Sequence, residues 1–162
     1  MKATPSILVA EDDEADQLLL RRAFKRAGAQ VHLDWARNGF EVIQSLHEKA
    51  RRECDWPALL LLDLKMPAMS GFEVLDWLAS EPGLRPAKVA VFSSSLDPED
   101  LRHASHLGVD HYFVKPTDQA ELVSIVRRLE EYWSAPILRP HLAHIPAPEH
   151  FVEPVGEVAV AA

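Results

Sequence analysis

Acidic side chains follow two short apolar runs of the sequence, where they could form a cation site. Glu11, Asp12 and Asp13 follow the first run, and Asp63 follows a later one. Carboxylates a few ångströms apart repel each other unless a cation lies among them, and a donor set made only of oxygens selects a hard ion such as Mg²⁺. If the two runs are neighbouring strands, the pattern therefore predicts a magnesium site.

A hydroxyl and a cation follow two further apolar runs. Ser93 begins a run of three serines, and Lys115 directly precedes a proline. A lysine and a magnesium ion neutralise the oxygens of a phosphoryl group, and a carboxylate such as that of Asp63 can accept the group as a nucleophile. Each feature alone has an ordinary explanation as a helix cap or a turn. Together, at the strand ends of one sheet, they predict phosphoryl transfer to Asp63.

The surrounding sequence alternates short apolar runs with longer amphipathic segments. The predicted strands are 7–10, 31–36, 58–62, 89–92 and 112–114. Amphipathic periodicity or capping residues predict a helix after each strand. This alternation predicts an α/β fold of type (βα)₅, with a parallel sheet, right-handed crossovers and helices on both faces. Ligands of such folds bind at the carboxyl ends of the strands, where the strand order reverses.

Several residues mark the predicted helices. Gly28 is typical of a helix end, and Ser70 with Glu73 has the spacing of a capping box. Asp97 is suited to cap the fourth helix. In the second helix, Phe40 begins an apolar stripe at helical spacing, which predicts that its side chain faces the core.

The overall composition limits the classes of partner. The formal net charge is -8, which argues against a nucleic-acid-binding surface. Cys54 is the single cysteine, so no internal disulfide can form, and this fits a reducing compartment. No apolar run approaches the length of a membrane span, and the first residues lack the apolar stretch of a signal peptide. We therefore expect a cytoplasmic protein that binds neither nucleic acid nor membrane.

The last segment of the sequence differs from the rest. Residues 1–134 carry the alternating pattern, whereas residues 135–162 are rich in proline and in apolar side chains. Proline favours a mobile tail, but the apolar content is high for a disordered segment. Two interpretations stay open: a mobile tail, or an arm that docks on its own domain or on a second copy.

Four stretches, taken together, resemble the receiver-domain signature of two-component response regulators. They are Glu11-Asp12-Asp13, the segment 63–71, Phe92-Ser93-Ser94 and Val114-Lys115-Pro116. The resemblance covers residues 5–134, with the order and spacing of the motifs preserved. It implies a doubly wound, flavodoxin-like parallel sheet with strand order 2-1-3-4-5.

The resemblance also implies the residues of a metal site. Asp63 matches the phosphoacceptor, and it would bind Mg²⁺ together with Asp12 and the backbone carbonyl of Lys65. Glu11 matches the acidic neighbour of Asp12, as a ligand or just behind the ligands. For Asp13, a helix-capping role is an equally good interpretation.

Three further residues match positions that respond to phosphorylation. Ser93 matches the hydroxyl that hydrogen-bonds the phosphoryl group, and Lys115 matches the lysine that contacts its oxygens. Tyr112 matches the aromatic switch, which turns inward as Ser93 moves. A half-buried strand aromatic without a switching role is the alternative for Tyr112.

The implied partner is a sensor histidine kinase or a histidine phosphotransfer protein. The stretches 11–16, 92–95 and 129–133 resemble small regulators paired with bacterial phytochrome-type kinases, a group associated with dimers. The segment 135–162 is too short for a typical helix-turn-helix module. We therefore expect a single-domain regulator that signals through protein contacts or a phosphorelay, as a homodimer in which residues 135–158 form an arm.

Three other functions stay open at this point. A haloacid-dehalogenase-type phosphohydrolase also forms an aspartyl phosphate, but it carries a second acid where Lys65 stands, and a lysine cannot replace that acid at neutral pH. A flavodoxin-like binding protein needs a phosphate loop without the charge of Glu11-Asp12-Asp13. A pseudo-receiver would fold alike without being phosphorylated. The sequence favours a phosphoacceptor over an enzyme that turns over a separate substrate.

Overall fold

Strands and helices alternate as predicted within residues 4–52 and 56–134, the part of the chain that the computed structural model describes. The strands are β1 (Ser6–Ala10), β2 (His32–Ala36), β3 (Pro57–Leu62), β4 (Lys88–Ser93) and β5 (His111–Val114). The helices are α1 (Glu14–Ala27), α2 (Gly39–Arg52), α3 (Gly71–Ser80), α4 (Pro98–His106) and α5 (Gln119–Ser134). A short 3₁₀ helix at Pro82–Leu84, which the sequence pattern did not predict, precedes β4.

The strands form one sheet in the order β2-β1-β3-β4-β5, and every neighbouring pair is parallel. The predicted fold and strand order are therefore confirmed. β1 pairs with β2 on one side and with β3 on the other, so that Ala10 lies level with both Ala36 and Leu62. The strand order reverses at this point, and the residues that follow β1 and β3 emerge side by side at the carboxyl edge.

Two apolar layers cover the sheet. On one face, α1 and α5 pack against the strands through side chains such as Phe24 and Trp133. On the other face, α2, α3 and α4 pack against alternate residues of the same strands. All residues of β3 are buried because the strand is central and covered on both faces, as its uniformly apolar sequence predicts.

The predicted helix ends are also confirmed. Ser70 and Glu73 form a reciprocal capping box at the start of α3, with each side chain bonded to the other residue's backbone N–H. Asp97 caps α4 by accepting a hydrogen bond from the backbone of Glu99. Gly28 ends α1 in the left-handed region, at φ 72°. These local signals fix where α3 and α4 begin and where α1 ends.

The prediction that Phe40 faces the core is wrong. Its side chain is 61% exposed, whereas Gly39 is buried at the start of α2. A Cβ atom on Gly39 would lie 2.6 Å from Cγ of Met69 and 2.7 Å from Cγ2 of Val74. Because Gly39 faces Met69 and Val74, the next residue along the helix is turned about 100° away, toward solvent.

Within the described ranges, no helix is long and apolar enough to cross a membrane. The proline-rich segment 135–162 and Cys54 lie outside the described residues.

Candidate functional site

Glu11 and Asp63 lie side by side because the sheet ladder continues past the ends of β1 and β3. The backbone N–H of Asp63 donates to the carbonyl of Ala10 over 3.0 Å, and that of Glu11 donates to the carbonyl of Ala36 over 2.9 Å. Both acidic residues are buried, with exposed fractions of 1% for Glu11 and 5% for Asp63. The fold therefore brings together two carboxylates that the sequence separates by a strand, two helices and a further strand.

Asp12 joins these two residues in a group that could hold a metal ion. Glu11, Asp12 and Asp63 each offer a carboxylate oxygen, and the three oxygens lie within 4.8 Å of one another. Oε2 of Glu11 is buried, and its contact is the ammonium of Lys115 at 2.7 Å. A donor set made only of carboxylate oxygens at this spacing fits a hard divalent cation such as Mg²⁺.

Lys115 supplies the positive charge at this edge. It follows β5, where its backbone N–H donates to the carbonyl of Ser93 over 2.9 Å. Its Nζ atom lies 2.7 Å from Oε2 of Glu11, 2.8 Å from Oδ2 of Asp16 and 2.8 Å from Oδ2 of Asp63. One ammonium group is thus surrounded by three carboxylates, which leaves a net negative charge even before Asp12 is counted.

Burial and the contacts of Lys115 set the acid–base properties of the cluster. Burial raises the pKa of Glu11 to about 7, with the nearby Asp63 charge acting in the same direction and Lys115 opposing both. Burial lowers the pKa of Lys115, but its contacts with Asp16, Asp63 and Glu11 outweigh burial, so that the pKa lies above its ordinary value. Lys115 therefore stays charged, and one of its carboxylate partners is poorly stabilised in its charged form.

The loop after β3 folds tightly around Asp63. The backbone N–H of Lys65 donates to Oδ1 of Asp63 over 3.1 Å, while Lys115 bonds the other carboxylate oxygen. Gly71 closes the loop, and its N–H donates to the carbonyl of Leu64 over 3.0 Å. A Cβ atom on Gly71 would lie 2.2 Å from the carbonyl oxygen of Asp63, so only glycine permits this approach. The side chain of Lys65 is exposed.

Ser93 and Tyr112 are joined through Ser95. The Ser93 side chain is fully buried at the end of β4, and its Oγ accepts a hydrogen bond from the backbone N–H of Ser95 over 3.2 Å. The half-buried Tyr112 donates its hydroxyl to the carbonyl of Ser95 over 3.0 Å. The two predicted switch residues thus share one residue of the β4–α4 loop as their hydrogen-bond partner.

Two further acids of the stretch 11–16, Asp13 and Asp16, have different partners. Asp13 caps α1, since its Oδ1 accepts hydrogen bonds from the backbone N–H groups of Ala15 and Asp16 over 2.8 Å and 3.0 Å. The side chain of Asp16 instead reaches Lys115, a contact that the sequence analysis missed. The run of acids in the sequence indicated that some of them could pair with a cation. It does not reveal which of them contacts Lys115, which lies near the other end of the domain.

Comparisons with known proteins identify the family. The family model described as response regulator receiver domain matches residues 7–127. A curated relative, the "Probable methanogenesis regulatory protein FilR2" of Methanothrix harundinacea, is 36% identical over 129 residues, which cover 78% of this chain and 82% of the relative.

Two solved structures share both the fold and part of the sequence. The phosphorylated cyanobacterial phytochrome response regulator RcpA is 31% identical with a TM-score of 0.72, over 82% of this chain and 96% of that one. The Mn²⁺-bound form of the response regulator Rcp1 is 26% identical with a TM-score of 0.67, over 88% of this chain and 99% of that one. On the match of the family model and on the identity to the curated relative, this chain belongs to the response regulator receiver domain family.

Proposed function

We propose that this chain is a response regulator that accepts a phosphoryl group on Asp63 in the presence of Mg²⁺. One observation carries the proposal: Asp63 is buried at the carboxyl edge, 2.8 Å from the ammonium of Lys115 and within a group of carboxylates that fits a divalent cation. A carboxylate that only stabilised the fold would not need a divalent cation in addition to Lys115. It would also not need to lie where the strand order reverses.

The proposed reaction transfers a phosphoryl group from a phosphohistidine. A carboxylate oxygen of Asp63 forms a bond to phosphorus, the phosphorus–nitrogen bond of the donor breaks, and the histidine nitrogen keeps the electron pair. Lys115 neutralises oxygens of the transferred group, because its ammonium is already held beside Asp63. Mg²⁺ bound by Glu11, Asp12 and Asp63 would add charge neutralisation at the same oxygens. The chain acts as the acceptor, and we do not assign it turnover of a separate substrate.

The proposed response begins at Ser93. Its hydroxyl would leave the N–H of Ser95 and donate to the phosphoryl group, while the carbonyl of Ser95 is the partner of Tyr112. Because the same residue bonds both side chains, a shift of Ser93 alters the surroundings of Tyr112. We therefore assign the switch to Ser93 and Tyr112.

The proposed partner is a sensor histidine kinase or a histidine phosphotransfer protein. A phytochrome-type kinase is supported by the likeness to RcpA, which is a phytochrome response regulator. The net charge of -8 favours output through protein contacts or a phosphorelay over binding to nucleic acid. The single cysteine fits a cytoplasmic location.

We further propose that the regulator is a homodimer with the segment 135–158 as an arm. This segment lies outside the described residues, and the support is its apolar, proline-rich sequence. Light scattering of the full chain and of a chain that ends at Ser134 compares the two masses. A dimer that becomes a monomer on truncation supports the arm, and an unchanged mass refutes it.

The test of the proposed acceptor uses acetyl phosphate as donor. With Mg²⁺, the wild type is expected to gain one phosphoryl group by intact mass, and Asp63→Asn is expected to gain none. Asp76→Asn removes an exposed carboxylate on α3 and serves as the matched control. Chelation of Mg²⁺ should also prevent labelling. Equal labelling of Asp63→Asn would show that the acceptor is another residue, and an unlabelled wild type would indicate a pseudo-receiver.

A further inference from the structure

We propose that Asp16 is a positioning residue for phosphoryl transfer: its carboxylate keeps the ammonium of Lys115 beside Asp63 while a phosphoryl group occupies one oxygen of that residue. The inference rests on the proposed function of Asp63. It concerns a residue outside the receiver signature quoted above, and it is carried by the geometry around Lys115.

The ammonium of Lys115 has three donors and meets three carboxylates. It forms hydrogen bonds to Asp16 and to Asp63, each over 2.8 Å, and an ion pair with Glu11 over 2.7 Å. The Lys115 side chain is 15% exposed. An ammonium this buried needs partners in place of water, and here each donor has a charged one.

Asp16 differs from the other two partners in what else it does. Glu11 and Asp63 belong to the group of carboxylates that fits a divalent cation, and Asp16 does not. Once a metal and a phosphoryl group occupy the site, Glu11 and Asp63 divide their oxygens between Lys115 and these ligands. Asp16 keeps its carboxylate for Lys115, so that it is the partner that persists through the reaction.

The backbone holds Asp16 in place. Asp16 lies in the first turn of α1, and its N–H donates to the capping side chain of Asp13 over 3.0 Å. The lysine, in contrast, carries its charge on a flexible four-carbon stem with several rotamers. A carboxylate fixed on a capped helix therefore limits the positions open to Lys115 and reduces the entropy lost when it binds the phosphoryl oxygens.

Two other roles for Asp16 predict different results. If Asp16 only competed with Asp63 for the ammonium of Lys115, Asp16→Asn would speed phosphorylation. If it only stabilised the fold, its loss would lower the melting temperature and leave the labelling rate of the folded protein unchanged. The positioning role alone predicts slower labelling of a stably folded protein, with the loss dependent on Lys115.

The experiment measures the initial rate of phosphorylation by acetyl phosphate with Mg²⁺ in full-length variants. Asp16→Asn is expected to lower the rate about tenfold, the size of effect expected for one charge-assisted hydrogen bond that positions a reacting group. Asp16→Glu restores the carboxylate and should recover most of the rate. Glu14→Gln, in the same helical turn, removes an acid that pairs with Arg37 at 3.5 Å and should leave the rate unchanged.

A double-mutant comparison tests whether Asp16 acts through Lys115. In a Lys115→Gln background, Asp16→Asn should cause no further loss of rate. The inference is overturned if Asp16→Asn matches or exceeds the wild-type rate, or if it causes the same loss in both backgrounds. Failure of the proposed function looks different, because the wild type would then show no labelling that depends on Asp63.

Discussion

Two largely buried lysines lie beside the sheet, and their surroundings differ in charge balance. Lys115 lies at the carboxyl edge, and Lys49 lies on α2 toward the other end of β1 and β2. The side chains are equally buried, with exposed fractions of 15% for Lys115 and 16% for Lys49. Lys49 pairs with one carboxylate, that of Asp34, over 2.7 Å, whereas Lys115 faces three. The lysines are therefore matched in burial, but their partners differ both in number and in burial, since the side chain of Asp34 is 27% exposed and that of Glu11 is 1% exposed.

The cluster around Asp34 satisfies its charges internally. Ser6 donates to Oδ2 of Asp34 over 2.9 Å, and His32 lies 3.2 Å from Oδ1. Burial raises the pKa of Asp34, but the bonds from Lys49 and Ser6 outweigh burial and leave the pKa below its ordinary value. The folded state thus stabilises the charged form of this carboxylate.

In the cluster around Lys115, burial outweighs the contact with the ammonium and raises the pKa of Glu11 to about 7. Excess negative charge at this edge costs stability in the absence of a further cation, and it provides affinity for one. A balanced ion pair stabilises the fold by itself, whereas a cluster with excess negative charge is suited to bind a cation. Variants that change the balance of each cluster test this difference.

The largest effect is expected from breaking the balanced pair. Lys49→Met removes the ammonium that pairs with the largely buried carboxylate of Asp34. The substitution should lower the free energy of unfolding by about 2–3 kcal/mol. Urea unfolding followed by circular dichroism measures this loss. Lys25→Met, which removes an exposed lysine of α1, is the control and should change the value little. A loss as small as that of the control would mean that the pair around Asp34 does not stabilise the fold.

The next effect is stabilisation by Mg²⁺. At ten times its dissociation constant, a ligand that binds only the folded state adds about 1.4 kcal/mol to the free energy of unfolding. We expect this gain for the wild type and for Lys49→Met, and its loss in Asp12→Asn. Thermal unfolding with and without Mg²⁺ checks the expectation. An equal gain in Asp12→Asn would place the ion elsewhere.

Replacing an aspartate by the isosteric asparagine should change the free energy of unfolding in opposite directions in the two clusters. Asp63→Asn removes one of the crowded charges and should raise the free energy of unfolding by about 1 kcal/mol in the absence of Mg²⁺, because like charges repel. Asp34→Asn should lower it by about 1 kcal/mol, because Lys49 then lacks its partner. Urea unfolding of both variants under the same conditions provides the measurement. The same sign for both variants would contradict the comparison.

The smallest expected effect is on the loss of stability at acidic pH. The pKa of Asp34 in the folded state lies below its ordinary value of 3.8, so its contribution to stability is complete above pH 3.8 and is lost as the pH falls through the folded value. Stability measured between pH 5 and pH 2.5 should therefore fall less steeply in Asp34→Asn than in the wild type. Parallel curves would show that this carboxylate is not the source of the acid sensitivity.

The missed contacts show where prediction from sequence reached its limit. The capping of α3 by Ser70 depends on residues three positions apart, and it was predicted correctly. The outward position of Phe40 depends on how closely α2 approaches α3 at Gly39, and it was predicted wrongly. The role of Ser95 as a shared partner of Ser93 and Tyr112 depends on the path of the β4–α4 loop, and no local pattern indicates it.

The sequence by itself determined the alternation of strands and helices, the buried central strand and the placement of Asp63 directly after it. These features follow from local periodicity and from capping residues, which act over a few positions. Only the tertiary structure decided which side chains meet Asp63 and Lys115. Asp16 bonds a lysine 99 residues further along the chain, because the strand order brings α1 and the end of β5 to one edge of the sheet. Such a contact depends on the packing of whole elements, and no local pattern specifies it.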